Sequence, residues 1–481
     1  MYCLIYFDTE DFISAPDSPV HRLPGQMAEI MTKHGLPGCF HIHGEKARFM
    51  ERHGQTDVIA AIRKHDVSLH YDRGSMHPTT AEEVSELDWF RGVDRVLHRE
   101  TNGFRDLQRI FGKCRALTQH GGTFAAQIVY AAGRLGKPFF YSPFRLPGRE
   151  VVWFCNNLLF GGYRASFYFD PYYRDTPQFE KSLAQVDDHI RQRSNTHDLT
   201  CMFGCHPVIT MMQRFPDAIN FADGATPPPE QWQPPVPVEG VSIPLILENF
   251  ERLVVKLVGQ PNVEWTNVAG ITQRYHRGPA VVSDDELLRG AHAVVDHGGP
   301  TYTDTLSAGE LLVLLARRAL SSSERHEVPQ VMGPVEDVIE PAADALPNTA
   351  CTDVFARELL EVSLETGYLP HIVPSGNQPI SPATALLLLA CRATGRSLPP
   401  PEARQLSVNA IPGVSEAVEN VAKYKKWCCH GARYHQPGII EPFRRQCWTL
   451  KPACESHDYG ADVLALRPSG LGVSTCGGIG G

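Results

Sequence analysis

No stretch of the chain approaches the ~18 uninterrupted apolar residues that a membrane-spanning helix requires. The nearest run, Ala383 to Cys391, has half that length. An excess of positive charge is also missing. Lys+Arg is 45 against 54 Asp+Glu, a formal charge of −9, which argues against a protein built to neutralise phosphates; neither a nucleic acid nor a membrane is expected as a partner. Thirteen cysteines contain no CxxC pair at zinc-finger or thioredoxin spacing; Cys201 and Cys205 are four apart, and Cys428 and Cys429 are adjacent. They read as buried small hydrophobes in a reducing compartment. The N-terminus, Met-Tyr-Cys-Leu-Ile-Tyr-Phe-Asp, shows no basic segment followed by an apolar one. The expectation is a cytoplasmic protein, extracellular only if the start is truncated. What remains is an ordinary globular composition, 42% hydrophobic and 21% charged over 481 residues, long enough for two to four folding units. Histidine is plentiful, at 21.

Residues 1–275 alternate short apolar runs with helical segments. Cys3 to Phe7, Gly38 to His43, Asp66 to His70, Phe139 to Tyr141, Leu199 to Phe203 and Val263 to Asn267 read as strands. Helical spacing falls between them, notably over Thr56 to His65, Thr80 to Arg99 and Leu245 to Val258. Such alternation implies right-handed crossovers and a parallel sheet or barrel, hence an α/β class. Beyond about 280 the pattern is all-helical and nearly repeats. Glu286-Leu287-Leu288 recurs as Glu358-Leu359-Leu360, and Ser307-Ala308 to Leu315-Ala316 as Ser381-Pro382 to Leu389-Ala390. Two helix pairs of this kind would bury one another's apolar faces. The expected units are 1–275, 281–420 and a Trp/Cys-containing segment 421–481 with a Gly/Ser-rich, flexible tail.

On a parallel scaffold, catalytic groups collect at the C-terminal ends of strands. Four such ends carry polar residues: Asp8-Thr9-Glu10-Asp11, His41 with His43, His70 followed by Asp72 and His77-Pro78, and His206-Pro207. Carboxylates and histidines so placed are the ingredients of a divalent-cation site with a carboxylate left over as a base.

The order of motifs resembles the polysaccharide deacetylases, the NodB homology fold of carbohydrate esterase family 4. The similar stretches are Tyr6 to Asp11, Gly38-Cys39-Phe40-His41-Ile42-His43-Gly44-Glu45-Lys46-Ala47, Lys64 to His70 with Ser75 to Thr79, Gln119-His120-Gly121-Gly122-Thr123, Cys205-His206-Pro207 and Asn262 to Val268. The resemblance implies a distorted seven-stranded (β/α) barrel over residues 1–275 and a metal-dependent hydrolase that removes N- or O-acetyl groups from a carbohydrate. It implies Asp8 as general base and His206 as general acid. Glu10 or Asp11, with His70 and His77, would hold the metal, zinc before cobalt or nickel. Tyr71, Gln119 and Gly121 would contact substrate, with Trp89, Phe154 or Tyr163 as aromatic platforms. One departure stands out: the family's two histidines are four apart, whereas His70 and His77 are seven apart and Gly74 occupies the intermediate place. Asp72 is a substitute ligand. Two further readings stay open, an inactive carbohydrate- or wall-binding protein and a small-amide amidohydrolase on the same barrel. The helical repeat resembles pseudomurein-binding repeats only weakly, and reads better as an accessory or dimerisation unit. The mix of Lys423, Lys425, Lys426, Arg444, Arg445 and Trp448 reads as a packed edge with a solvated basic face.

Overall fold

The computed structural model describes residues 1–161, 166–193, 199–338, 352–375, 379–423 and 430–455. Tyr163, Lys425, Lys426, Trp427, Cys428, Cys429, the later part of the proline-bearing linker Val328 to Asn348, and the tail from Leu466 lie outside them.

The first strand, β1 (Tyr2–Thr9), is buried on both faces from Cys3 onward, as expected of a central parallel strand. It pairs in parallel with three partners. Tyr2–Leu4 meet β10 (Glu264–Thr266), Tyr6–Thr9 meet β2 (Cys39–Ile42), and the other edge meets β9 (Leu199–Cys205). From β2 the parallel series continues through β3 (Asp66–Leu69), β4 (Leu117–Thr118), β5 (Phe139–Phe140) and β7 (Asn157–Phe160); β8 (Ser166–Tyr168) follows β9 on the other side. β6 (Val152–Phe154) folds back antiparallel on β7, and an edge strand, Lys451–Pro452, adds antiparallel to β6. The sheet thus has eleven strands, more than the seven expected. The additions are runs of two to four residues, too short to show a period.

The sheet curls, so that Tyr6 on β1 meets Phe140 on β5 and Tyr168 on β8, with ring centroids 5.3 and 6.2 Å apart. Alternation along each strand sorts the side chains. Cys3, Ile5, Phe7, Phe40, Ile42, Val67 and Leu69 face the surrounding helices, whereas Leu4, Tyr6, Cys39, Ala116, Phe140 and Met202 form a separate inner cluster in the curl. Gly204 is required by that inner packing: a Cβ there would stand 2.4 Å from the Tyr168 ring and 2.9 Å from Tyr6. The described cysteines Cys39, Cys114, Cys155, Cys205, Cys391 and Cys447 are buried, and burial pushes the Cys39 and Cys155 thiols up.

Thr80 to Arg99 is not one helix. Thr80–Ser85, closed by a Thr79/Glu82 capping box, is followed by Trp89–Phe111, capped afresh by Asp88. In the helical half, Asp284–His297 packs on Pro382–Thr394 and Ala308–Leu320 on Thr352–Thr366, so each member of one pair is buried by a member of the other. Ser307 and Ser381 are the two N-caps, which explains the repeated serine. The C-terminal segment returns to the barrel: helix Gln436–Gln446 packs on Thr80–Ser85 and Ala126–Arg134. Buried Lys451 joins the halves through Glu310 Oε2 at 2.7 Å and the Thr305 carbonyl at 2.8 Å. The first and third expected units therefore share one sheet, and the second and third share one buried ion pair. Among the described residues no helix is long and apolar enough to cross a membrane.

Beneath the sheet's C-terminal end lies a buried basic pair. Lys46 Nζ is 2.8 Å from His21 Nδ1, and His21 Nε2 faces the Ser14 carbonyl at 3.1 Å. Burial first, and the Lys46 charge second, lower His21 from 6.5 to about 4. The unfolded chain takes up this proton below pH 6.5 while the folded one does not, so stability falls as pH drops across that window, by about 2–3 kcal/mol. Thermal melting from pH 7 to pH 4.5 checks this, and His21→Asn is expected to flatten the slope.

Candidate metal and acid–base site

The inner faces of consecutive strands extend past their C-terminal ends. Asp8 sits two residues above Tyr6, and His41 pairs across the ladder from Asp8. His70 and His206 continue the inner faces of β3 and β9, and His120 that of β4. Together they line one cavity of about 350 Å³.

Hydrogen bonding fixes which nitrogens face inward. Thr118 Oγ1 donates to the Leu69 carbonyl at 3.1 Å, so it accepts from His70 Nδ1 at 2.7 Å. His43 Nδ1 donates to the His70 carbonyl. In both rings the proton is held on Nδ1 and the Nε2 lone pair is turned toward the cavity, which is how metal-ligating imidazoles are oriented. His43 Nε2 is buried without a hydrogen-bond partner and lies 3.9 Å from Glu10 Oε2. His120 Nε2 lies 3.0 Å from the same oxygen and 3.1 Å from Asp217 Oδ2. Donor atoms of Glu10, His43, His70 and His120 fall within 4.8 Å of one another, all buried. Three imidazoles and one carboxylate fit a borderline divalent ion. A second grouping, Asp8, His41 and His70, is equally compact. Asp8, however, is committed elsewhere, accepting from His41 Nδ1 at 2.8 Å and facing His206 Nε2 at 3.3 Å.

The electrostatics divide the roles. Burial opposes the charge on Asp8, yet positive neighbours hold it well below the carboxylate range. Since burial keeps His70 itself neutral, the hydrogen bonds from His206 and His41 carry that shift at neutral pH. Burial also opposes charge on His206, but Asp170 overrides it, accepting from His206 Nδ1 at 2.6 Å and from its backbone N–H at 2.8 Å. His206 is therefore held protonated next to an ionised Asp8. Against burial, the facing carboxylates of Asp217 and Glu10 push His120 up to about 10. A proton on His120 and a cation on its Nε2 are alternative means of neutralising those carboxylates.

Of the residues singled out from the sequence, Asp8, Glu10, His70, His206, Gln119 and Gly121 all line the cavity. Four do not join it. Asp11 turns away, its Oδ1 accepting from Ile13 and Ser14 N–H at 3.0 Å each. His77 is engaged at both nitrogens, by Glu82 Oε2 at 2.6 Å and the Phe221 carbonyl at 2.8 Å. Asp72 Oδ1 accepts from Arg48 at 2.8 Å. Tyr71 is buried and donates to the Thr123 carbonyl at 2.7 Å. Trp89 and Phe154 are core residues; the rings on the cavity are Tyr6, Phe140, Tyr141, Tyr168 and Phe215. His43, noted at a strand end, and His120 are the ligand-type residues left out of the expected ligand set. Both lie inside quoted motifs, and strand alternation extended past the last ladder bond would have placed them inward. Asp170 sits in a turn and Asp217 on the five-residue helix Pro216–Asn220, and neither carries a local signal.

No family profile matches the chain, and no curated protein does. Solved structures of carbohydrate esterase family 4 show a partial likeness. A pseudoenzyme of that family from Bacillus anthracis is 11% identical, with a TM-score of 0.29 over 55% of this chain and 63% of that one. A candidate polysaccharide deacetylase from Mycobacterium smegmatis is 12% identical, with a TM-score of 0.34 over 56% and 88%. A family 4 esterase from Streptomyces lividans, in complex with acetate, is 10% identical, with a TM-score of 0.27 over 54% and 88%. The chain thus spans just under two thirds of the length of the first of these. At such scores the likeness carries no argument, and the chemistry rests on the residues themselves.

Proposed function

We propose that the site is that of a metal-dependent hydrolase removing an N- or O-acetyl group, with a carbohydrate as the substrate class that the motif order favours. The observation that carries this reading is a compact His3Glu donor set, of which Glu10, His70 and His120 line the cavity, beside an ionised Asp8 and a protonated His206. Glu10, His43, His70 and His120 would hold the ion, zinc by donor chemistry. When bound it supplies a Lewis acid for the acyl oxygen and lowers the pKa of water. Asp8 Oδ2 takes the proton of the attacking water as general base; His41 fixes its carboxylate by the bond to Oδ1. His206 Nε2 donates its proton to the departing nitrogen or oxygen as general acid. Asp170 holds the imidazolium by its Nδ1–H. The aromatic walls exclude bulk water, which strengthens each of these interactions.

Acetate release from acetylated sugars, with and without chelator, tests the reading; no release by metal-loaded protein overturns it. A further expectation concerns Asp170→Asn. Removing that charge lets burial pull His206 down, so activity is lost at lower pH as pH rises. The basic limb of the kcat/KM profile should move down by at least about 1 unit. An unmoved limb would separate His206 from proton donation.

A further inference from the structure

Asp217 is buried in the cavity wall, 3% exposed, on the short helix Pro216–Asn220. Its Oδ2 has no hydrogen-bond partner of good geometry. His120 Nε2 lies 3.1 Å from it, and that nitrogen already faces Glu10 Oε2 at 3.0 Å. One imidazole nitrogen carries at most one proton and cannot satisfy two carboxylates. If His120 Nε2 is a metal ligand, it offers Asp217 no proton at all. The ion lessens the charge but donates no hydrogen bond, and a buried carboxylate without a donor is costly, so Asp217 is open to a donor that enters with the ligand.

The rest of the wall has the same preference. Asp8 and Glu10 add two carboxylates, and among the described residues no lysine or arginine lines the cavity. Tyr6, Phe140, Tyr141, Tyr168 and Phe215 supply ring faces, which attract cations and do nothing for anions. We infer that the substrate carries, besides its acyl group, a protonated amino group, and that Asp217 binds it. This deepens the hydrolase reading and rests on it: the substrate class is an N-acylated diamine or an amino sugar with a second, free amine. An anionic acyl compound would meet the carboxylates of Asp8, Glu10 and Asp217, with the His206 imidazolium already paired to Asp170 and Asp8 and no lysine or arginine to compensate.

Two measurements test this on the metal-loaded full chain. The first needs no turnover: calorimetric titration with the non-hydrolysable mono-N-methanesulfonyl forms of 1,3-diaminopropane, 3-aminopropan-1-ol and β-alanine, which differ only in the free terminal group. The diamine should bind at least about tenfold tighter than the amino alcohol, the scale of one charge-assisted hydrogen bond in a buried site; β-alanine should bind most weakly. The second is kcat/KM for the mono-N-acetyl forms of the same three compounds, taken as ratios within each variant. Asp217→Asn should bring the diamine-to-alcohol ratio in both measurements close to one. Equal binding by wild type, or a preference for β-alanine, overturns the inference even if the variant does not fold. A preference that survives Asp217→Asn overturns the assignment to Asp217, as does loss of the metal from that variant, which would make Asp217 a ligand. A diamine preference in binding with no hydrolysis of any acetyl form supports the inference while the hydrolase reading fails.

Discussion

Asp8→Asn lowers kcat for acetyl release by about 10³-fold, within the 10²–10⁴ range typical of a lost general base, while the protein keeps its metal. Two effects combine. An amide has no basic oxygen, so the water proton has no acceptor at this position. The Asn amide nitrogen also confronts His206 Nε2, which lies 3.3 Å from Asp8 Oδ2, and two N–H donors cannot share that contact. His206 must then lose its proton or rotate away from Asp170, and the acid is disabled along with the base. His41 Nδ1, 2.8 Å from Oδ1, can still donate to the Asn carbonyl, so the fold around the site is kept. Acetate release measured beside metal content checks this. A variant with full rate and full metal would remove Asp8 from the chemistry.

The second large effect separates the ligand set proposed from the structure from the one expected from spacing. His43→Ala and His120→Ala should each weaken divalent-metal affinity by more than about 100-fold, beyond what loss of an outer-shell partner costs. His77→Ala should leave that affinity within a factor of about 3, since both its nitrogens serve Glu82 and the Phe221 carbonyl. It should instead destabilise the fold by about 1–3 kcal/mol, through the Phe221 carbonyl that loses its His77 donor and the buried Glu82 carboxylate that loses one of several. Metal titration and melting on the three variants give both readouts. The reverse order, with His77 essential and His43 or His120 dispensable, would restore the sequence-based set.

Much of the barrel is legible in the sequence because its central strands are continuous apolar runs that end in polar residues. Tyr2–Thr9 is the clearest case: hydrophobicity marks the strand and Asp8 marks its end. His70 and His206 are found for the same reason. His77 misleads because a histidine before a proline on a loop looks free to fold back, whereas Glu82, in the capping box of the next helix, holds it away. His43 lies one residue and His120 two residues beyond the end of its strand, where alternation still holds but the apolar pattern has stopped. Asp170 and Asp217 reach the site only through the curl of the sheet and the path of loops, neither of which a local pattern encodes. Strands as short as Ser166–Tyr168 carry too few residues for any period. The Ser307 and Ser381 caps, by contrast, are local devices, and the near-repeat they open is plain in the sequence.

The most direct measurement follows metal content and acetate release together in one preparation of the wild-type chain, before chelation, after it, and after reloading with zinc. One ion per chain is predicted, with activity lost and regained in proportion to it. Acetate release indifferent to the chelator, or a chain that takes up no stoichiometric ion, would contradict a site built on Glu10, His43, His70 and His120.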